Sequence, residues 1–196
     1  MTNTSAFDAP LELAPDAVLI VIDVQQGFGQ TDFWGAPDNP DAHRKMLSLI
    51  EAWQSTGRPV VTVQHTSAAG PLRAGAPGNA LTPEIAAVVP ELHVTKQVNS
   101  AFYGTPDLHG WLRERGAEQI VIIGIMTNVC CETTARMGGN LGYDVVFPID
   151  ATQTFDMVGP DGVTIPGSDL SRATAAVLHA ARFAKVVSTD AVLAAA

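Results

Sequence analysis

Positive charge and cysteine are scarce in this chain, and long apolar runs are missing. Eleven Lys and Arg face twenty Asp and Glu, a formal net charge of −9. Nucleic acid and anionic membranes are therefore poor partners, and a neutral or cationic small molecule fits better. No uninterrupted apolar stretch approaches the roughly 18 residues that a membrane span needs. The only two cysteines, Cys130 and Cys131, are adjacent. That adjacency disfavours a disulfide between them and points to a reducing, cytoplasmic setting. Residues 1–10 lack both the basic start and the apolar core of a secretory signal. Aromatics are also few (seven Phe, three Trp, two Tyr), so their placement is informative.

What the chain does have is apolar patterning. A hydrophobic content of 46% over 196 residues, with 16% charged, supports one substantial core and leaves little room for two. Residues 1–196 are thus expected to form a single domain, its core over about 16–188. The run 17–22 is continuously apolar, as a buried parallel strand is. Residues 40–53 place Met46, Leu47, Leu49, Ile50 and Trp53 at helical spacing, before Gly57-Arg58-Pro59 ends the pattern. Further strands are predicted at 60–63, 92–95, 119–124, 143–148 and 185–188, and helices at 108–115 and 170–183. Six strands with helical crossovers predict a three-layer α/β/α sandwich around a mainly parallel six-stranded sheet, Rossmann-like in its winding. The 66–78 loop, rich in Ser, Ala, Gly and Pro, is long for a compact domain, and such loops are often functional.

In sheets of this kind ligands bind beyond the carboxyl ends of the strands. Three ionisable residues stand at such ends: Asp23, Lys96 and Cys130. Taken singly, Asp23 can cap a turn, Lys96 can be a surface lysine and Cys130 can be a small buried hydrophobe. Taken together they make chemical sense. A carboxylate can take the thiol proton, and an ammonium can hold that carboxylate ionised and favour the thiolate. Cys130 follows the apolar run Ile120-Val121-Ile122-Ile123-Gly124-Ile125-Met126 and precedes a helical stretch over 132–141. A helix N-terminus there would lower the thiol pKa. Thr127 or Asn128 is placed to cap that helix, and Gly124 to let the chain leave the strand tightly. Cys131 would point about 100° away, toward the packing side.

These segments resemble the isochorismatase-like family of cysteine hydrolases, which includes nicotinamidases, N-carbamoylsarcosine amidase, streptothricin hydrolase and isochorismatase itself. The matching pieces are Val21-Ile22-Asp23-Val24-Gln25 with Phe28, Thr95-Lys96 with Ser100-Ala101-Phe102, and Gly124-Ile125-Met126-Thr127-Asn128-Val129-Cys130, in family order. The resemblance implies an isochorismatase-like hydrolase fold and a catalytic triad of Asp23, Lys96 and Cys130. It also implies an oxyanion hole from the backbone N–H groups of Met126 and Cys130, and a cis peptide between Ile125 and Met126. The implied reaction is cleavage of the C–N bond of a small amide, lactam or related carbonyl compound through a thioester on Cys130, with no cofactor. A homo-oligomer, dimer or tetramer, is implied as well. Vinyl-ether hydrolysis of the isochorismatase type, or a catalytically silent binding protein on the same fold, are the alternatives.

One departure narrows the choice. Metal-containing nicotinamidases carry an Asp-x-His pair and a second His after the second strand, whereas Val63-Gln64-His65-Thr66-Ser67 offers a single histidine. A stable metal site wants three or four ligands, so no metal is expected. His65 either faces the pocket or packs in the core. Five aromatics, Phe28, Phe33, Trp34, Phe102 and Tyr103, closely follow Asp23 or Lys96. With His65 they are the candidates to wall a pocket for a small-molecule substrate. Asn39, Arg73, Gln97 and Asn99 are further candidates for polar contacts.

Overall fold

Alternation along β1 (Val18–Ile22) decides the layers. Leu19 and Val21 pack into one core, while Val18, Ile20 and Ile22 pack into a second. A strand buried on both faces needs helices above and below it. The computed structural model describes residues 11–196; residues 1–10, the stretch without a signal-like pattern, lie outside the described residues.

β1 is flanked by β2 (Val60–His65) and β4 (Gln119–Ile125). β3 (Leu92–Lys96) pairs with β2, β5 (Asp144–Pro148) with β4, and β9 (Lys185–Val187) with β5. The order is β3-β2-β1-β4-β5-β9, and a two-residue strand, β6 (Thr152–Gln153), also pairs with β4. All these pairs are parallel. The six predicted strands form the main path, and β6 was too short to leave a periodicity. A separate hairpin joins β7 (Met157–Val158) to β8 (Thr164–Ile165).

A four-residue helix, α1 (Thr31–Trp34), follows β1, and on one face α2 (Ala42–Thr56) contributes Met46, Leu49, Ile50 and Trp53. α3 (Pro83–Ala86) adds Ile85 there, and α7 (Thr189–Ala195) adds Val192. On the other, α4 (Leu108–Glu114), α5 (Glu132–Asn140) and α6 (Gly167–Ala180) contribute Leu108, Leu112, Ala135, Ala175 and Leu178. Each such large side chain stabilises the fold by about 1.5–3 kcal/mol when fully buried. Trp53 also donates its indole N–H to the Ala17 carbonyl at 2.8 Å, so burying it leaves no donor unpaired. Among the described residues, no helix is long and apolar enough to cross a membrane.

The chain winds from β1 through β2 to β3 on one side, then crosses to β4 on the other. The order therefore reverses between β1 and β4, which opens a crevice at their carboxyl ends. Gly124 allows the close approach there. It faces Ile22 across the β1–β4 pair with φ +129°, and a Cβ at this position would lie 2.1 Å from the Ile22 carbonyl oxygen. Gly124→Ala is expected to cost at least about 3 kcal/mol, because a forbidden backbone conformation and a backbone clash combine. Urea unfolding checks this, and a loss below about 1 kcal/mol would contradict the clash.

Candidate active site

Asp23 leaves β1 in the left-handed region, φ 53°, a conformation that Asp tolerates better than most residues. Its N–H donates to the Val63 carbonyl at 3.0 Å, and its side chain is fully buried. Lys96 closes β3, two strands away, which at ordinary strand spacing is about 10 Å. Its four-carbon stem spans that distance with no exposed surface. The ammonium then donates to Asp23 Oδ2 at 2.6 Å, to His65 Nδ1 at 3.2 Å and to Cys130 Sγ at 3.3 Å. An ammonium has three N–H bonds, and all three are used. The second carboxylate oxygen, Asp23 Oδ1, is buried without a hydrogen-bond partner.

Cys130 arrives from the opposite side of the crevice. The peptide between Ile125 and Met126 is cis, and a π-turn, Thr127–Cys131, precedes α5. The Cys131 N–H reaches the Met126 carbonyl at 3.1 Å, five residues back. Such wide turns are frequent at functional sites. Neither Thr127 nor Asn128 caps the helix, contrary to expectation. Thr127 instead donates to the Thr152 hydroxyl at 2.9 Å. Asn128 accepts from Thr154 Oγ1 at 2.6 Å and donates to the Met157 sulfur at 3.4 Å. Buried hydroxyls beyond β5 compete successfully for these side chains and tie the turn to the neighbouring loop. Cys131 is wholly buried in the core, the packing side predicted for it.

The electrostatics correct a second expectation. Burial and the adjacent Asp23 carboxylate push the Cys130 thiol up to about 12, overriding the pull of Lys96, where a lowered value was expected. The reason is that the turn buries the sulfur against a carboxylate, and the ammonium is shared among three acceptors. Burial likewise raises Asp23 to about 6, against the opposing pull of Lys96. Near neutral pH the carboxylate is therefore ionised and the thiol keeps its proton. Burial first, and then the Lys96 charge, lower His65 to about 4, leaving it a neutral acceptor.

The predicted pocket walls divide. Phe28 and Trp34 meet at 5.0 Å with their rings tilted, and both stack on Phe155, which the sequence reading missed. Phe33 meets Trp34 edge-on at 4.8 Å and remains largely exposed. Phe102 packs into the core on Tyr143 at 5.8 Å, in the same apolar cluster as Cys130. The tight turn Ala101–Tyr103 sends its neighbour Tyr103 outward instead, onto a cleft of about 330 Å³ shared with Thr66, Gln97 and the Lys96 segment. Asn39 is spent on the backbone carbonyls of Asp150 and Thr152. Arg73 lines a separate groove beside Gln30 and Phe33, and Asn99 is exposed.

Among the described residues, Asp23, His65 and Cys130 are the one group of three possible metal ligands, their donor atoms within 4.8 Å of one another. The Lys96 ammonium hydrogen-bonds to all three, so a metal ion drawing on this set competes with it.

The isochorismatase domain profile matches residues 17–191. The isochorismatase family protein YrdC of Bacillus subtilis is 34% identical over 175 residues, covering 88% of this chain and 91% of its own. Streptothricin hydrolase of Streptomyces noursei is 31% identical, covering 86% of this chain and 68% of its own. An isochorismatase-family crystal structure from Chromobacterium violaceum superposes with a TM-score of 0.88 at 33% identity, covering 95% of this chain and 97% of its own.

Iodoacetamide is expected to label Cys130 at a rate that keeps climbing from about pH 6 to about pH 10, because the thiol is held protonated. Cys131 should stay unlabelled until the protein unfolds. Peptide mapping that found a plateau near neutrality, or Cys131 labelled first, would reverse this reading.

Proposed function

This chain belongs to the isochorismatase family, and on that premise we propose that it is a cysteine hydrolase that opens the C–N bond of a small amide or lactam without a metal ion. The observation that carries the reading is the buried Lys96 ammonium bridging Asp23 and Cys130, at 2.6 and 3.3 Å. A structural salt bridge needs no thiol beside it. A nucleophile with a base and a cation within hydrogen-bond reach is the arrangement of covalent catalysis.

In the proposed reaction, Asp23 takes the Cys130 proton on its unpartnered Oδ1 as the sulfur attacks the carbonyl carbon. The oxyanion is assigned to the backbone N–H groups of Met126 and Cys130; losing one such donor costs on the order of 3 kcal/mol. Asp23 returns the proton to the leaving nitrogen, which departs as the amine. It then removes a proton from water as that water attacks the thioester, and passes that proton to the departing Cys130 sulfur, so that the acid is released and the thiol and ionised carboxylate are restored. Lys96 steadies whichever of the carboxylate and thiolate is charged. Metal independence is supported by the position of that ammonium among the three possible metal ligands.

The test is a library of small carboxamides, lactams and ureas, with an enol ether as the competing substrate, followed by mass spectrometry of acid-quenched protein for an acyl adduct on Cys130. Cys130→Ala should lower turnover at least about a thousandfold while leaving the fold intact. Asp23→Asn should cost about a hundredfold or more. Turnover of the enol ether alone, without an adduct, would replace this reading. Chelators should leave the rate unchanged, and their abolishing it would sink metal independence.

Asp23 must be ionised to act as base, so kcat/KM is expected to be full above about pH 6 and to fall as the pH drops through that value. A profile flat down to pH 4 would remove Asp23 as the base.

A further inference from the structure

His65 is unused in the reaction above, yet its imidazole takes one of the three Lys96 hydrogens. Its backbone is also held unusually firmly. The fully buried amide of Gln25 accepts from the His65 N–H at 2.9 Å and donates to the His65 carbonyl at 2.9 Å. Asn79 Nδ2 donates to the same carbonyl at 2.9 Å. Gln25 follows Asp23 by two residues, so one short segment supplies both the carboxylate and the clamp. On the other side, the β2–β3 register pairs His65 with Lys96. With Nδ1 accepting from an ammonium, the imidazole proton must sit on Nε2, which is the neutral tautomer.

We propose that His65 is a positioning residue of this centre: its Nδ1 anchors the third hydrogen of the Lys96 ammonium, and the Gln25 clamp on its backbone sets where the side chain starts, so that the other two hydrogens point at Asp23 and Cys130. This rests on the triad reading above and deepens it. Without the acceptor, a buried cationic N–H is left unpaired, and the lysine head must turn or move to satisfy it. The damage should then appear as a less stabilised sulfur anion, not as weaker substrate binding.

The test compares His65→Leu, which deletes the acceptor, with His65→Asn, whose amide oxygen can occupy the place of Nδ1. Two readouts are used: the rate of iodoacetamide alkylation of Cys130, which needs no substrate, and kcat against KM. His65→Leu should slow alkylation about tenfold and lower kcat by a similar factor, with KM changed less than about threefold, as loss of a hydrogen bond to a charged group predicts. His65→Asn should recover most of both rates. Equal loss in the two variants would overturn the anchoring role and assign the imidazole itself to proton transfer. Wild-type alkylation in a folded His65→Leu protein would overturn it outright. If instead Cys130→Ala kept full turnover, the triad reading would fall first and take this role with it, whatever the His65 variants did.

Discussion

A single buried ammonium organises the centre. Taking a lysine head out of water costs several kcal/mol, which only well-placed partners can offset. Lys96 has three, drawn from three separate segments: the end of β1, the end of β2 and the turn after β4. Removing one partner of such a buried pair typically costs about 3–5 kcal/mol. The position of each segment is therefore constrained by the same cation. Sheet register does the rest. Ile22 lies opposite Val63 and His65 opposite Lys96, and a slip of one residue would turn those side chains to the wrong face.

Burial of the centre works against the fold and, in the proposed reaction, in favour of the chemistry. The Asp23 pKa is raised from 3.8 in the unfolded chain to about 6 in the fold. Stability from this group is thus fully present below about pH 4 and is lost as the pH rises through about 6. At neutral pH the fold holds an ionised carboxylate that it would hold more readily protonated. That reluctance is what a general base near neutrality requires, since a carboxylate of ordinary pKa would be too weak a proton acceptor for a thiol.

The strand ends were legible because each strand stops at an ionisable residue: the apolar run Val18–Ile22 just before Asp23, and the short alternating strand Leu92–Lys96 at its own last residue. What escaped depends on contacts distant in sequence. The partners of Thr127 and Asn128 lie 25 and 26 residues downstream, so local capping rules could not anticipate them. Whether Phe102 or Tyr103 faces inward turns on a single 3₁₀ turn. The thiol shift was misjudged because a helix N-terminus is visible in sequence, whereas the depth of burial and an adjacent carboxylate are not. His65 could not be assigned from its own neighbours either, because its meaning comes from the β2–β3 pairing and the Gln25 amide.

In the proposed reaction, an ammonium rather than a metal ion at this position has a chemical consequence. Asp23, His65 and Cys130 supply the donor types that zinc prefers, oxygen, nitrogen and sulfur. Zinc in their midst would hold the sulfur as a permanently deprotonated ligand and would occupy the carboxylate. An ammonium makes weaker, directional contacts. It engages Oδ2 and leaves Oδ1 open, and it stabilises a sulfur anion without preventing its reprotonation. The proposed reaction therefore lets a proton move between carboxylate and thiol, while the cation beside them keeps its three hydrogens.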